Sequence, residues 1–149
     1  MKTRTKYFAY GSHMSTERIR SRIHSAHKLC IGYIKNKRML FNKRSSDGSG
    51  KANIVNDTGY VTWGVVYDVT YEDLEKLDEI ERGYSREYVK VYCIQGNIIL
   101  AATYVSTELT GNPVPRDSYK HIVLKGAREH ELPESYIDYI DSFPSMLSQ

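Results

Sequence analysis

The run Tyr60-Val61-Thr62-Trp63-Gly64-Val65-Val66-Tyr67-Asp68-Val69 limits the choice of fold more than any other stretch of this chain. All but Gly64 and Asp68 are β-branched or aromatic, the residue types that pack well on a pleated surface. The run predicts a strand, and the glycine inside it predicts a bulge or a close backbone approach. Further strands are expected at Lys6–Tyr10, Lys28–Ile34, Arg38–Asn42 and Ala52–Val55. Glu87–Ile94 and Ile98–Ser106 flank Gln95-Gly96-Asn97 and read as a hairpin. Between two of the strands, Ser45-Ser46-Asp47-Gly48-Ser49-Gly50 reads as a polar loop with nothing to pack.

Helical signals are interspersed and then terminal. Ser15 caps a segment in which Met14, Ile19 and Ile23 fall on one stripe. Thr70 opens a helix with Leu74, Leu77 and Ile80 facing inward. Beyond Pro113 and Pro115, Asp117–Glu129 carries Tyr119, Ile122, Val123 and Ala127, and a last helix carries Tyr136, Ile137, Ile140 and Phe143. Strands first, with helices between and after them, predict an α+β or mixed barrel architecture and not a doubly wound parallel sheet. At 149 residues, with 40% apolar and 26% charged side chains, the chain is expected to form a single globular domain over residues 1–149.

Several function classes are set aside by what the sequence lacks. No apolar run approaches the roughly 20 residues that cross a bilayer, and Met1–Lys6 leads into no hydrophobic signal core. A cytoplasmic protein without a membrane partner is expected. Cys30 and Cys93 match no metal-ligand spacing and read as buried thiols, so no metal site is expected. The net charge is +3, with basic clusters at Arg18, Arg20 and Arg22 and from Lys35 to Arg44. These read as a solvated face, and no nucleic-acid partner is expected. His24 and His27 have no carboxylate or cysteine at useful spacing and read as surface or structural histidines. Nucleophile elbow, phosphate loop, dinucleotide fingerprint and zinc-protease motif are all missing.

Two stretches carry chemistry. In "YFAYGSHMS", Gly11-Ser12-His13-Met14 looks like a remnant of tag removal, yet nine residues precede Tyr10 and the segment is native. A strand running into a Gly-Ser turn and then a helix gathers backbone N–H groups around a concavity able to hold an anion. Ser12 reads as a turn residue or ligand contact, because a nucleophilic serine needs a base and His13 beside it points elsewhere. The second stretch is Leu77-Asp78-Glu79-Ile80-Glu81-Arg82-Gly83-Tyr84-Ser85-Arg86-Glu87-Tyr88. Three carboxylates crowd the helix end that disfavours negative charge. Two readings stand side by side: Glu81 is held near the core as a base with a raised pKa, or the acids pair with Arg82, Arg86 or Lys90.

Taken in register, "YFAYGSHMSTERI", "TWGVVYDVT", "LDEIERGYSREY" and "DSYKHIVLKGAREHELPESY" resemble the γ-glutamylcyclotransferase family over roughly residues 7 to 140. The resemblance implies a small mixed β-barrel flanked by helices. It implies that Glu81 is the acid/base and that Tyr10, Gly11, Ser12 and His13 form the substrate-holding turn. Tyr88, Tyr104 and Tyr119 are implied to line the cavity. The implied substrate is a γ-glutamyl amino acid or γ-glutamyl amine, cyclised to 5-oxoproline without a cofactor by a monomer or homodimer. A module that binds such ligands without turning them over is the alternative. Two departures stand out: His13 replaces the family's usual Asn with a titratable ring, and Arg82 replaces the Gly that usually follows the glutamate. Arg82 could pair with Glu81, point to solvent or reach a substrate carboxylate.

Overall fold

The computed structural model describes residues 3–147. Its elements in order are β1 (Arg4–Ala9), a 3-10 turn (Ser12–Met14), α1 (Thr16–Arg22), β2 (His27–Arg44), β3 (Gly50–Thr70) and α2 (Tyr71–Ile80). There follow β4 (Ser85–Cys93), β5 (Ile98–Val105), α3 (Asp117–Glu129) and α4 (Glu134–Asp141). The strands close into a barrel in the order β1-β3-β2-β4-β5. β1 meets β5 in parallel at the pair Tyr7 and Ala102, while the other neighbouring strands are antiparallel. The expected α+β class and small mixed barrel are what the chain forms.

Four of the expected strands are two long ones. β2 runs through both Lys28–Ile34 and Arg38–Asn42, and β3 through both Ala52–Val55 and Tyr60–Val69. The polar residues between them bulge without ending the pairing: the register shifts between Lys35 and Lys37, and Asn36 takes a left-handed φ of 59°. The Asn36 side chain accepts a hydrogen bond from the Gly59 N–H at 3.1 Å, so the two irregularities brace each other. Gly64 proves to be the close approach and not a bulge, since a Cβ there would lie 2.3 Å from the Ala9 carbonyl oxygen. The loop at Ser45–Gly50 also differs from expectation. Ser49 is buried, Asp47 accepts from Ser45, Ser49 and Arg116, and the Gly50 N–H donates to Val114, so the C-terminal segment covers the loop.

Phe8, Met39, Ile54, Val66, Val91 and Ala101 are among the side chains that make a continuous core. Burying such residues supplies most of the favourable folding energy, about 25 cal/mol per Å² of apolar surface. Cys30 and Cys93 are free and buried, as expected. Among the described residues no helix is long and apolar enough to cross a membrane, and no cluster of His, Cys, Asp and Glu has metal-site geometry.

Two packing contacts set the position of the 3-10 turn. α3 crosses it at Gly126, where a Cβ would lie 2.5 Å from the Ser15 nitrogen. The Tyr67 hydroxyl donates to the Met14 carbonyl at 3.1 Å from the other side. The turn is thereby clamped between the barrel and α3 at the end of β1.

Candidate active site

A pocket opens where β1 ends in the 3-10 turn and α2 ends beside it. On the turn side the chain reaches it as Tyr10, Gly11, Ser12 and His13. The turn's own hydrogen bonds use the carbonyls of Gly11 and Ser12, accepting from Met14 and Ser15 at 3.1 Å. That i to i+3 pattern leaves the first N–H groups of the turn without an intrahelical acceptor, at residues that line the pocket. Ser15 then caps α1, its hydroxyl accepting from the Arg18 N–H.

Opposite stands Glu81. It is the residue that ends α2: its N–H still donates to Leu77 at 2.8 Å, but its ψ of 64° has left the helix. Gly83, with φ of 82°, completes the reversal into β4, a conformation that costs a side chain-bearing residue about 1 kcal/mol. The helix end is fixed by its other acid. Asp78 accepts from the Tyr104 hydroxyl at 2.6 Å and from Arg86, so α2 is tied to both β4 and β5 one turn before Glu81. The two readings of the acidic stretch therefore divide by residue, Asp78 pairing with an arginine and Glu81 facing the pocket.

The side chain of Glu81 is only 19% exposed. Burial pushes its pKa up, opposed by Arg22, Lys51, Lys43 and Arg18 in that order. A carboxylate so placed accepts a proton more readily than an exposed one, as a general base must. Arg18, Arg22 and Lys51 line the same pocket, and the Arg18 Nε is buried with no hydrogen-bond partner. The cavity is thus cationic apart from one acid, and suits a ligand carrying carboxylate groups.

His13 joins the two walls. Its Nδ1 lies 2.8 Å from the Tyr7 hydroxyl and 3.3 Å from Oε1 of Glu81, and its Nε2 lies 2.9 Å from Nη1 of Arg22. Burial pushes its pKa down to about 3, helped by Arg22 and Arg18, so the ring is neutral across the physiological range. The contact with Glu81 is accordingly no ion pair.

Tyrosines fill the remaining wall. The Tyr119 hydroxyl accepts from the Ala52 N–H at 3.1 Å, and burial raises its pKa to about 12. Tyr10 donates to the Tyr104 carbonyl, and Tyr84 to the Ala52 carbonyl at 2.6 Å. Burial raises the pKa of Tyr7, Tyr10, Tyr84 and Tyr104, which keeps these hydroxyls protonated.

Of the residues the sequence nominated, Tyr10, Gly11, Ser12, His13, Glu81, Tyr104 and Tyr119 meet in this pocket. Tyr88 does not. It shares a sheet face with Tyr104, but Tyr104 pairs with Arg86 under the C-terminal turn of α2 while Tyr88 pairs with Ala102 further along. There it is 49% exposed and accepts from Arg86, near Tyr71 at the other end of α2. Tyr84 occupies the pocket instead. Arg82 is exposed, and the cations around Glu81 come from α1, β2 and β3. Tyr7, Arg18, Arg22 and Lys51 escaped the sequence reading. Tyr7 opens the recognised motif YFAYGSHMSTERI without a role of its own there, Arg18 and Arg22 read as a solvated face, and Lys51 carried no signal.

Residues 61–140 match the model of the AIG2-like family. The chain is 35% identical to γ-glutamylcyclotransferase of Homo sapiens over 139 residues, which is 87% of this chain and 73% of that protein. It is 31% identical to γ-glutamylcyclotransferase of Bos taurus over 145 residues, 91% of this chain and 77% of the relative. Among solved structures, one described as a gamma-glutamyl cyclotransferase superposes with a TM-score of 0.88 at 31% identity, covering 95% of this chain and 89% of that one.

Proposed function

This chain is an enzyme of the γ-glutamylcyclotransferase family, and from that premise we propose that it cyclises a γ-glutamyl amino acid or γ-glutamyl amine to 5-oxoproline, releasing the amine, with Glu81 as general acid and base. The observation that carries the reading is the buried Glu81 carboxylate facing the Gly11-Ser12 turn across a pocket otherwise lined with cations and neutral tyrosines.

The chemistry needs little that the pocket lacks. The α-amine of the substrate attacks its own γ-carbonyl carbon. The new C–N bond closes a five-membered ring, and the old amide C–N bond breaks. Holding the chain folded for this attack supplies a proximity effect worth up to about 7–11 kcal/mol in favourable model systems. One proton must leave the ammonium and one must reach the departing nitrogen. A single carboxylate performs both transfers, a contribution of about 10²–10⁴-fold. The backbone donors of Gly11 and Ser12 hold substrate carboxylate or the developing oxyanion, and Arg18, Arg22 and Lys51 draw the charged ends of the ligand inward. Tyr10, Tyr104 and Tyr119 shape the wall against which the glutamyl chain folds.

The test is 5-oxoproline release from a panel of γ-glutamyl amino acids and γ-glutamyl amines by wild type and Glu81→Gln, both shown to be folded. The reading stands if wild type releases 5-oxoproline and the variant loses at least about a hundredfold. It fails if no member of the panel yields product, or if Glu81→Gln turns over as wild type does. Ligand-induced stabilisation without product would mark a binding module instead.

A further inference from the structure

Arg22, His13 and Tyr7 touch in series, and elementary hydrogen-bond valence gives the series a direction. A guanidinium has donors and no acceptor. With Arg22 Nη1 2.9 Å from Nε2 of His13, that nitrogen must offer its lone pair. The contact excludes the imidazolium and the Nε2–H tautomer together. The one proton of the ring is then on Nδ1, 2.8 Å from the Tyr7 oxygen and 3.3 Å from Oε1 of Glu81. Tyr7 cannot donate back to Nδ1, because a ring accepting at both nitrogens would be an imidazolate anion. Its hydroxyl must accept from His13 and aim its own proton elsewhere. Tyr7 is 4% exposed and lines the pocket, so that proton has the pocket to point into.

We propose that Arg22, His13 and Tyr7 form a one-way hydrogen-bond chain that presents the Tyr7 hydroxyl to the substrate as a neutral donor, with Arg22 and His13 as positioning residues. The acceptor is an oxygen of the γ-glutamyl group; the γ-carbonyl oxygen is the one that gains negative charge as the ring closes. Naming the acceptor rests on the cyclotransferase reading, whereas the direction of the chain belongs to the protein alone.

The groups facing the ring agree with this polarity. Arg18 and Arg22 approach from α1, Tyr7 from β1 and Glu81 from the end of α2. Burial and the two arginines keep the ring neutral, so the direction does not reverse as pH falls through the range where histidines usually titrate. An asparagine in this place has both a donor and an acceptor and can serve either way round. The His13 ring, once Arg22 is bound to it, can serve only one.

Two measurements test the chain. Long-range ¹H–¹⁵N spectra of the imidazole, assigned by loss of the signal in His13→Asn, are expected to show a neutral ring protonated on Nδ1 from roughly pH 5 to pH 9. In Arg22→Met the same ring is expected to lose that fixed tautomer. An Nε2–H tautomer or an imidazolium in wild type overturns the proposal whether or not the protein turns anything over. Tyr7→Phe keeps the ring in the core and removes only the donor. It is expected to lower kcat/KM by about tenfold to a hundredfold while the Nδ1–H tautomer of His13 persists. Unchanged kcat/KM overturns the role given to Tyr7. Failure of every γ-glutamyl substrate sinks the cyclotransferase reading, and the imidazole spectrum then decides the chain by itself.

Discussion

The Tyr104 hydroxyl donates to Oδ1 of Asp78 at 2.6 Å, tying β5 to the last turn of α2. Glu81 follows Asp78 by three residues, so this one contact helps to set where the proposed base sits. Tyr104→Phe removes it while leaving the ring in place. Because Asp78 is partly exposed and keeps Arg86, the expected stability loss is about 1 kcal/mol by urea unfolding. The drop in kcat should be larger than that loss of folded protein can account for. Equal effects would mean that the contact supports the fold and not the base.

Glu81 is held at the expense of stability. Its pKa is raised in the folded state above its unfolded value. A carboxyl of that kind favours folding most when protonated, at pH below its unfolded pKa, and loses that contribution as pH rises through the folded value. Above its unfolded value the group therefore subtracts from the stability of the native state, which would be more stable without it. Glu81→Gln should unfold at a higher temperature than wild type at pH 7, with the difference shrinking as pH is lowered toward 4. A variant less stable than wild type at neutral pH would contradict this assignment of strain.

The pH dependence of kcat/KM should show one acid limb, lying above the ordinary glutamate value of 4.5 and belonging to Glu81. His13, with its pKa near 3, should contribute no limb where a free histidine titrates. His13→Asn should accordingly leave no missing inflection near 6.5. An inflection present in wild type and absent in that variant would show that the ring is charged at work.

Gly126→Ala should be among the more damaging small changes in the chain. The new methyl group meets the backbone at Ser15 and Met14 at 2.5 and 2.6 Å, and backbone cannot step aside as a flexible side chain does. About 1–3 kcal/mol of destabilisation is expected. Gly96→Ala is the comparison: with nothing within 4 Å it meets only the strain of φ near 107°, about 1 kcal/mol. Thermal unfolding of the two variants checks the order, and an equal shift would mean that α3 can retreat from the turn.

What the sequence disclosed and what it hid follow from the range of the interactions concerned. Local chemistry was legible. Thr70 and Ser15 cap helices where expected, and α3 covers the expected residues Asp117–Glu129. The breaks expected after Ile34 and Val55 did not form, because strand pairing on either side carries the chain through Asn36 and Gly59 despite their left-handed backbones. Tyr88 misled for another reason. It was implied by the family resemblance, and a tyrosine matched by its place in a motif says nothing of which part of a sheet face a helix covers: α2 shelters Tyr104 while leaving Tyr88 outside. Arg18, Arg22 and Lys51 had no local signature at all. Their place in the pocket comes from α1 and β3 meeting around an acid at the end of α2, a distance in sequence that no motif spans.

Closure of the barrel by the parallel pair of Tyr7 and Ala102 also has a consequence in time. The two strands it joins lie at opposite ends of the sheet-forming sequence, and contacts so remote must wait for the intervening chain to organise. Tyr7 is at once a seam residue and a wall of the pocket. In refolding, strand signals should therefore recover before catalytic competence does, and the lag between them should measure how long the seam stays open.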